Sequence, residues 1–505
     1  MSPAPCLMVQ GTASGVGKSL LTAALCRIFR RAGYRVAPFK SQNMSLNAAV
    51  TLDGGEIGRA QAAQAEAAGI DATVDMNPIL LKPEADDRSQ VIVRGRAVTS
   101  ARWAEYGRMT PGLWPLVAES LTRLRRQYDV VVIEGAGSPA EINIPWDLVN
   151  MRVAALAAAP VLLVGDIDRG GVFAALIGTL ALLAPEDRAR VAGLVINRFR
   201  GERAVLAPGL ALLAERTGLP VLGVVPHLGD GLVPEEDSLA LEAQSAAPDD
   251  ARVVVAVLRL PRIANFDDAE PLAREPGVAV RFVTRAAEID AADVVIVPGS
   301  KSTMADLAWL RARGLAPAIG RAAREGRIVL GLCGGFQMLG ERLADPDGVE
   351  TGGEAPGLAL LPVSTTFTSP KTTVRVRARA SAHGPFAAAA GAEITGYEIH
   401  AGVTLTRGPA AVTIFERGGV ATETADGAVA GSVVGTYVHG LLTCAPLRRA
   451  LLVEAARRRG VAADPGWGGA DGADRYDRLA DLVGPTLDLA AITRLVRRPV
   501  VTVTA

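Results

Sequence analysis

A glycine-rich run near the start of the chain carries the first residues whose spacing predicts chemistry. The run is Gly11-Thr-Ala-Ser-Gly-Val-Gly-Lys18-Ser19, between an apolar strand-like stretch and a helical pattern beginning at Leu20. Glycines let backbone N–H groups surround phosphate, the lysine reaches the phosphates, and the following hydroxyl can ligate Mg²⁺. The pattern predicts a phosphate site formed by Gly11, Thr12, Gly15, Val16, Gly17, Lys18 and Ser19.

Two polar residues follow other apolar runs and belong to the same predicted site. Lys40 follows the run 35–39, and Glu134 follows Val130–Ile133. Because the carboxyl ends of parallel strands share one edge of a sheet, both side chains are expected near the phosphate-binding run. A carboxylate there can hold Mg²⁺ directly or through water, so Ser19 and Glu134 are the predicted metal ligands.

A second predicted site is built around one cysteine. Cys333 stands between the apolar run Ile328–Leu332 and Gly334, which is followed by a second glycine. Small residues permit a sharp strand-to-helix turn, the helix start favours a thiolate, and flanking N–H groups can hold an oxyanion. Such a nucleophile needs a base, and the residues alone leave His439 and His400 open as alternatives.

A phosphate site and a thiol site in one chain suggest coupled reactions. A carboxylate becomes reactive towards ammonia once it is converted to an acyl phosphate, and a thiol can release ammonia from glutamine through a glutamyl thioester. Together these steps describe an ATP-dependent amide ligase that uses glutamine. The rival from another class is a regulatory P-loop ATPase, which the thiol site and the absence of a lysine at Ala13 both disfavour.

The elements that must position these residues alternate between apolar strand-like runs and helical stretches. The chain has 505 residues, and its 53 Lys and Arg balance its 53 Asp and Glu, so no net charge draws it to nucleic acid or an anionic membrane. The four cysteines lie far apart, which disfavours a disulfide framework or a thiolate zinc site. No signal peptide or membrane-spanning run is recognisable, so a cytoplasmic location is predicted.

The alternation predicts an α/β fold with two doubly wound domains. We expect a P-loop domain over residues 1–232, a linker over 233–250, a glutamine-using domain over 251–445 and a helical tail over 446–505 packed on both. The strands expected in the first domain are the following apolar runs: Cys6–Gln10, 35–39, Val130–Ile133, Val161–Val164, Leu194–Ile196 and Val221–Val225.

Over nearly its whole length the chain resembles the cobyric acid synthases of the cobalamin pathway. The motifs that carry the resemblance are Gly11–Ser19, Lys40–Asn47, Gly55–Gln61, Met76–Lys82, Glu134–Asn143, Asp166–Phe173, Asn197–Gly201, Pro298–Thr303, the Cys333 turn, Gly396–His400 and Gly435–Gly440. The resemblance implies a dethiobiotin-synthetase-like first domain and a flavodoxin-like class I glutamine amidotransferase second domain.

The resemblance also implies a reaction and residue roles. The family amidates the b, d, e and g carboxylates of adenosylcobyrinic acid a,c-diamide, with ATP, Mg²⁺ and glutamine, and the implied partners are these small molecules, with a homodimer allowed. It selects His439 over His400 as the base for Cys333. By motif, Lys40 stabilises the transferring phosphoryl group, Gly299 and Gly334 supply the oxyanion hole, and three side chains contact the corrinoid: Gln42, Asn43 and Asn47.

Three positions depart from the related patterns. Ala13 stands where dethiobiotin synthetases have an aspartate, Ser300 replaces the second glycine of a Pro-Gly-Gly turn, and Leu441 stands where a carboxylate usually follows the histidine. The group that orients His439 is therefore expected to be a main-chain carbonyl or another side chain. Within the ligase class, the alternatives are a cobyrinic acid a,c-diamide synthase, a ligase acting on another carboxylate, and an ammonia-only ligase whose thiol site is inactive.

Overall fold

A computed structural model describes residues 3–144, 147–229, 232–233, 251–469 and 475–497. Its two domains each contain a six-stranded sheet, which confirms the predicted α/β class. The predicted linker 233–250 lies outside the described residues apart from Val233.

The first domain is built from twelve strands and seven helices among the described residues. The strands are β1 (Cys6–Gly11), β2 (Val36–Phe39), β3 (Gln42–Met44), β4 (Ala48–Val50), β5 (Glu56–Gly58), β6 (Ile79–Ala85), β7 (Arg88–Val93), β8 (Arg96–Arg102), β9 (Val130–Glu134), β10 (Val161–Asp166), β11 (Val191–Phe199) and β12 (Val221–Pro226). The helices are α1 (Lys18–Arg31), α2 (Arg59–Ala68), α3 (Trp103–Gln127), α4 (Met151–Ala157), α5 (Val172–Leu182), α6 (Pro185–Arg188) and α7 (Arg203–Thr217).

Six of these strands form a parallel sheet in the order β12-β11-β10-β1-β9-β2. Every residue of β1 and β9 is buried, because helices cover both faces of the sheet and apolar runs suit that position. All six predicted strands are present, and β11 extends beyond the predicted run at both ends. The carboxyl ends of β1, β2 and β9 therefore meet at one edge.

The second domain and the tail continue the numbering. The strands are β13 (Val253–Leu258), β14 (Ile263–Ala264), β15 (Val278–Val283), β16 (Val294–Val297), β17 (Gly299–Ser300), β18 (Ile328–Leu332), β19 (Arg342–Asp345), β20 (Gly353–Pro356), β21 (Val363–Thr366), β22 (Thr372–Ala380), β23 (Glu393–His400), β24 (Val403–Thr406), β25 (Val412–Arg417), β26 (Val420–Asp426), β27 (Ala428–Ala430) and β28 (Val433–Thr436). The helices are α8 (Glu270–Ala273), α9 (Ala286–Asp290), α10 (Thr303–Ala312), α11 (Leu315–Arg324), α12 (Gly334–Leu339), α13 (Ala445–Arg459), α14 (Arg475–Val483) and α15 (Leu489–Arg497).

The main sheet of the second domain has the order β15-β13-β16-β18-β28-β27, and its strands are parallel except for β27 at the edge. Helix α12 follows β18 directly, and β28 lies beside β18. The ends of β18 and β28 therefore bring the Cys333 turn close to the segment that carries His439.

Helix α14 of the tail packs on the first domain although it follows the second domain in the chain. Arg27 Nε on α1 donates to Asp477 Oδ1 at 2.7 Å, and Leu479 is buried in one core with Leu21 and Leu25. The tail thereby covers the outer side of α1.

The two domains meet around the short antiparallel pair β4–β5. The backbone N–H of Ala48 donates to Asn265 Oδ1 at 3.0 Å, and the Tyr397 hydroxyl donates to the Ala48 carbonyl at 3.1 Å. On β5, the fully buried Glu56 pairs with Lys82 of its own domain and with Lys371 of the second domain. The interface is therefore partly polar and has charges buried inside it.

Candidate active site

The glycine-rich run forms a tight loop between β1 and α1. Gly15 and Gly17 have φ values of 72° and 95°, a backbone conformation that favours glycine. A Cβ on Gly17 would lie 2.0 Å from Asn197 Nδ2, and that amide donates to the Val16 carbonyl at 2.8 Å. The conformation of the loop therefore depends both on its glycines and on Asn197, which belongs to the Asn197–Gly201 motif.

Lys18, at the first position of α1, holds the loop together. Its Nζ donates to the Ala13 carbonyl at 2.8 Å and to the Gly137 carbonyl, after β9, at 3.1 Å. The lysine thus lies over the loop at the start of the helix. When a phosphate binds there, its oxygens would replace these carbonyl oxygens as hydrogen-bond partners of Lys18.

Glu134 is the centre of the predicted phosphate site. Its Oε1 accepts hydrogen bonds from Ser19 Oγ at 2.9 Å and from Lys40 Nζ at 2.8 Å, and its Oε2 accepts one from Gln64. Burial raises the pKa of Glu134, but the charge of Lys40 and the hydrogen bonds from Lys40 and Gln64 outweigh burial and hold that pKa below its ordinary value. The structure thus brings Ser19, Lys40 and Glu134 together, and Gln64 joins them.

The same cluster fits a magnesium ion. Mg²⁺ takes oxygen ligands, commonly one or two from side chains with phosphate and water completing the set. Ser19 and Glu134 supply oxygens, and Gln64 Oε1 is buried without a hydrogen-bond partner among the described residues. No group of three or more His, Cys, Asp or Glu side chains in the described ranges could hold a metal alone, so phosphate and water would have to complete the coordination.

The three predicted corrinoid contacts lie beside this site, and two of them are buried. Asn43 Nδ2 donates to Gln61 Oε1 at 2.9 Å, and Asn47 Oδ1 accepts from the Phe266 backbone N–H at 3.3 Å. Gln42 is partly exposed and accepts from the Tyr106 hydroxyl at 2.5 Å. Asn47 thus contacts the second domain, a role that its motif does not indicate.

The thiol site is built on a strained turn. Cys333 has φ 51° and ψ −110° between β18 and α12, and its N–H donates to the Thr436 carbonyl at 2.9 Å. A Cβ on Gly335 would lie 1.8 Å from the Val297 carbonyl oxygen, which explains the glycine there. A non-glycine residue in such a conformation is characteristic of nucleophile turns, where the side chain is exposed to substrate.

His439 lies beside Cys333 and is oriented by a carboxylate that sequence reasoning missed. Its Nδ1 lies 2.7 Å from Asp268 Oδ2, and the Gly440 N–H donates to Asp268 Oδ1 at 2.8 Å. Burial lowers the pKa of His439, but the charges and hydrogen bonds of Asp268 and Cys333 outweigh burial and raise that pKa to about 10. Asp268 is thus the side chain that orients His439 in place of the carboxylate that is missing at Leu441.

His400, the alternative base, has a different environment. Its ring stacks on Tyr437 at 3.7 Å between centroids, and its Nε2 lies 3.9 Å from Glu398 Oε1, beyond hydrogen-bond distance. The structure therefore pairs His439, and not His400, with a hydrogen-bonded carboxylate.

The two glycines predicted for the oxyanion hole flank the Cys333–His439 pair. A Cβ on Gly299 would lie 3.5 Å from His439 Cε1, and one on Gly334 would lie 2.9 Å from the Ser300 N. The Ser300 hydroxyl donates to Asp306 Oδ2 at 2.6 Å. The Ser300 side chain is thus held by Asp306, and its backbone N lies close to the turn.

The thiol opens into a cavity of about 550 Å³ at the domain interface. The second domain lines it with Cys333, His439, Gln337 and Glu350, and the first domain contributes Lys82. The volume suits an amino acid, and both domains form its wall.

The fold and the two sites define a glutamine-dependent ligase, in which a nucleotide-binding domain is joined to a glutamine amidotransferase domain. Residues 7–230 match the CobQ/CobB/MinD/ParA nucleotide binding domain family, and residues 254–446 match the CobB/CobQ-like glutamine amidotransferase domain family.

Curated relatives identify the family. The chain is 56% identical to cobyric acid synthase of Sorangium cellulosum, covering 97% of this chain and 98% of the relative. It is 50% identical to cobyric acid synthase of Moorella thermoacetica, covering 99% of each, and 51% identical to that of Chloroflexus aurantiacus, covering 98% and 100%. The chain belongs to the cobyric acid synthase family, as the motifs predicted.

Within the described ranges, no helix combines the length and the apolar character needed to cross a membrane.

Proposed function

We propose that this protein amidates the b, d, e and g carboxylates of adenosylcobyrinic acid a,c-diamide, using ATP and glutamine. The observation that carries the proposal is the presence of two complete chemical groupings in a chain of this family: Ser19, Lys40 and Glu134 at the loop after β1, and Cys333, His439 and Asp268 at the turn after β18. Each grouping supports one half of the reaction.

The thiol half releases ammonia from glutamine. The Cys333 thiolate attacks the side-chain amide carbon, the C–N bond breaks, and His439 gives its proton to the departing nitrogen, leaving a glutamyl thioester. Water then attacks the thioester, His439 takes the proton from that water, and glutamate leaves with the thiolate restored. Asp268 stabilises the protonated ring, and the N–H groups of Gly299 and Gly334 stabilise the oxyanion.

The phosphate half activates the carboxylate. A carboxylate oxygen of the corrinoid attacks the terminal phosphorus of ATP, the bond to the bridging oxygen breaks, and ADP leaves behind an acyl phosphate. Lys40 and Lys18 stabilise the negative charge of the transferring group. Ammonia then attacks the acyl carbon and loses a proton, and phosphate leaves. A magnesium ion held by Ser19 and Glu134 would neutralise charge on the phosphates.

The partly exposed Gln42 suits a contact with the amide and carboxylate side chains of the corrinoid. Asn43 and Asn47 are buried, so a direct contact from them would require movement around β3 and β4. The predicted cytoplasmic location and the homodimer stay predictions.

The experiment that tests the proposal is mass spectrometry of adenosylcobyrinic acid a,c-diamide incubated with the protein, ATP, Mg²⁺ and glutamine. The expected result is a ladder of products that ends at four added amides. An unchanged corrinoid, with ATP and glutamine still consumed, would contradict this substrate and favour another carboxylate. Amidation of cobyrinic acid itself at only two positions would favour the a,c-diamide synthase alternative.

A further inference from the structure

The carboxylate that orients His439 is adjacent in sequence to a second carboxylate held by the first domain. Asp267 Oδ2 accepts a hydrogen bond from Arg59 Nε at 2.8 Å, and Arg59 lies at the first position of α2. The side chains of Arg59 and Asp267 are only 16% and 12% exposed, so solvent screens this ion pair poorly. The NH1 group of Arg59 also donates to Glu66 Oε1 at 2.8 Å, which fixes the guanidinium on α2.

The backbone that carries Asp268 has further anchors in the first domain. The Phe266 N–H donates to Asn47 Oδ1 at 3.3 Å, and Asn265 Oδ1 accepts from the Ala48 N–H at 3.0 Å. Asn265 has φ 52°, a left-handed conformation that asparagine adopts more readily than most residues, and its side chain contacts β4. The segment 265–268 is thus held from one side by His439 and Gly440 and from the other by β4 and α2.

The same helix reaches the phosphate site. Gln64 lies five residues after Arg59, about 7.5 Å along the helix axis, and its Nε2 donates to Glu134 Oε2. A ten-residue helix shifts as a unit more readily than it bends, so a displacement at Gln64 is transmitted to Arg59. Helix α2 therefore contacts the predicted metal ligand at one point and the neighbour of the triad carboxylate at another.

We propose that α2 couples the phosphate site to the glutaminase triad, with Arg59 as a positioning residue that sets Asp268 against His439. This inference rests on the proposed function of the two sites. When nucleotide and metal bind at Glu134, its hydrogen bonds rearrange, Gln64 moves with them, and Arg59 carries the shift to the segment 265–268. The rate of ammonia release then depends on the occupancy of the phosphate site.

The Arg59 guanidinium balances the charge of a largely buried carboxylate next to Asp268. Asp267 and Asp268 are adjacent carboxylates, and Asp267 Oδ1 is buried with no hydrogen-bond partner among the described residues. Removing the guanidinium leaves a buried carboxylate without its cation, and such a group is strongly unfavourable. The segment is then expected to move Asp267 towards water, which takes Asp268 away from its 2.7 Å contact with His439.

The first test measures glutamate release at varied glutamine concentration, which requires no corrinoid. Arg59→Met is expected to lower kcat about tenfold or more with little change in KM, because the ring loses its orienting group but the glutamine cavity remains. The double variant Arg59→Met with Asp267→Asn is expected to recover part of the loss, because the buried charge is gone. A change confined to KM, or a double variant no better than the single one, would overturn the positioning role.

Arg375→Met is the matched control. Arg375 also crosses the domain interface, with Nε donating to the Val50 carbonyl at 2.9 Å and NH1 lying 3.3 Å from Asp71 Oδ1. It should leave glutamate release within about twofold of wild type. An equal loss in this variant would mean that any weakening of the interface produces the effect, and would overturn the specific role of Arg59.

The second test measures the coupling itself. Glutamate release by the wild-type protein is compared with and without saturating ATP and Mg²⁺, and the ratio is compared with that of Gln64→Leu and Arg59→Met at nucleotide concentrations that saturate each variant. A ratio different from one in wild type and near one in both variants is the expected result. A wild-type ratio of one, or an unchanged ratio in both variants, would overturn the coupling. If the corrinoid is not amidated, these rates of glutamate release can still be measured. Failure of the proposed function is therefore distinguishable from failure of the coupling.

Discussion

The Asp268 carboxylate lies 2.7 Å from Nδ1 of His439, although 171 positions separate the two residues in the chain. Asp268 is the last residue of the segment 265–268, which the first domain anchors through Asn47 and Ala48. The carboxylate holds the orientation of the imidazole beside Cys333, and it stands in place of the carboxylate that the related pattern has two residues after the histidine, at Leu441. The proposed glutaminase triad of this protein is therefore completed at the domain interface.

Replacing Asp268 with asparagine should damage glutamine use alone. The amide keeps the shape but loses the charge that stabilises the protonated ring, so we expect glutamine-dependent kcat to fall about a hundredfold. Ammonium-dependent amidation should stay near the wild-type rate, because the phosphate site is untouched. Steady-state rates with both nitrogen donors check this, and an equal loss with ammonium would contradict the assigned role.

The raised pKa of His439 predicts a broad pH range for the thiol reaction. With its pKa raised to about 10, the ring carries a proton at neutral pH and can give it to a departing group. Its contribution to stability is present below the ordinary value of 6.5 and is lost as pH rises through about 10. In Asp268→Asn the alkaline limb of the glutaminase profile should move to lower pH, and a limb that does not move would contradict the electrostatic cause.

Lys40 should be essential for amidation with either nitrogen donor. It lies 2.8 Å from Glu134 Oε1 at the end of β2, beside the phosphate loop. We expect Lys40→Met to lower corrinoid amidation at least about a hundredfold with glutamine or ammonium, because a charge that stabilises phosphoryl transfer is lost. Basal glutamate release without nucleotide should persist. A variant that retains amidation would place the phosphoryl group elsewhere.

Glu56 should stabilise the domain interface. Burial raises the pKa of Glu56, but Lys371 and Lys82 outweigh it and lower that pKa to about 2. The contribution is present above the ordinary value of 4.5 and is lost as pH falls towards 2. Glu56→Gln leaves the buried Lys82 and the partly exposed Lys371 without their anion and should cost about 3–5 kcal/mol in the free energy of unfolding, measured by denaturant titration.

A surface pair provides the control for Glu56. Glu119 pairs with Arg94 at 2.6 Å, but its side chain is 56% exposed. Glu119→Gln should leave the denaturation midpoint unchanged within error, because exposed pairs contribute little. A loss as large as that of Glu56→Gln would show that burial does not decide the effect.

The parts of the sites that are local in sequence could be predicted, and the parts that depend on distant packing could not. The phosphate loop and the Cys333 turn are specified by glycines within a few residues, so their conformations follow from short motifs. Asp268 and Gln64 stand in no recognisable pattern, and only tertiary packing brings them to His439 and Glu134.

Asn47 belongs to a recognisable motif, but the motif does not predict the contact that its side chain makes in the structure. Its motif indicates substrate contact, yet its side chain is fully buried and accepts a hydrogen bond from Phe266 of the other domain. A polar residue in a motif can serve the interface or the ligand, and its sequence neighbours are the same in both cases. The domain arrangement shows the interface contact of Asn47, and its substrate contact stays a prediction.

In the proposed reaction, the nitrogen released at Cys333 is the nitrogen added to the corrinoid at the phosphate site. The direct measurement is mass spectrometry of the corrinoid after reaction with ATP, glutamine labelled with nitrogen-15 in its amide, and unlabelled ammonium, for wild type and Cys333→Ser. We predict labelled amides from wild type, and amides without label from Cys333→Ser. Label in the product of Cys333→Ser, or a variant that makes no amides with ammonium present, would contradict the account.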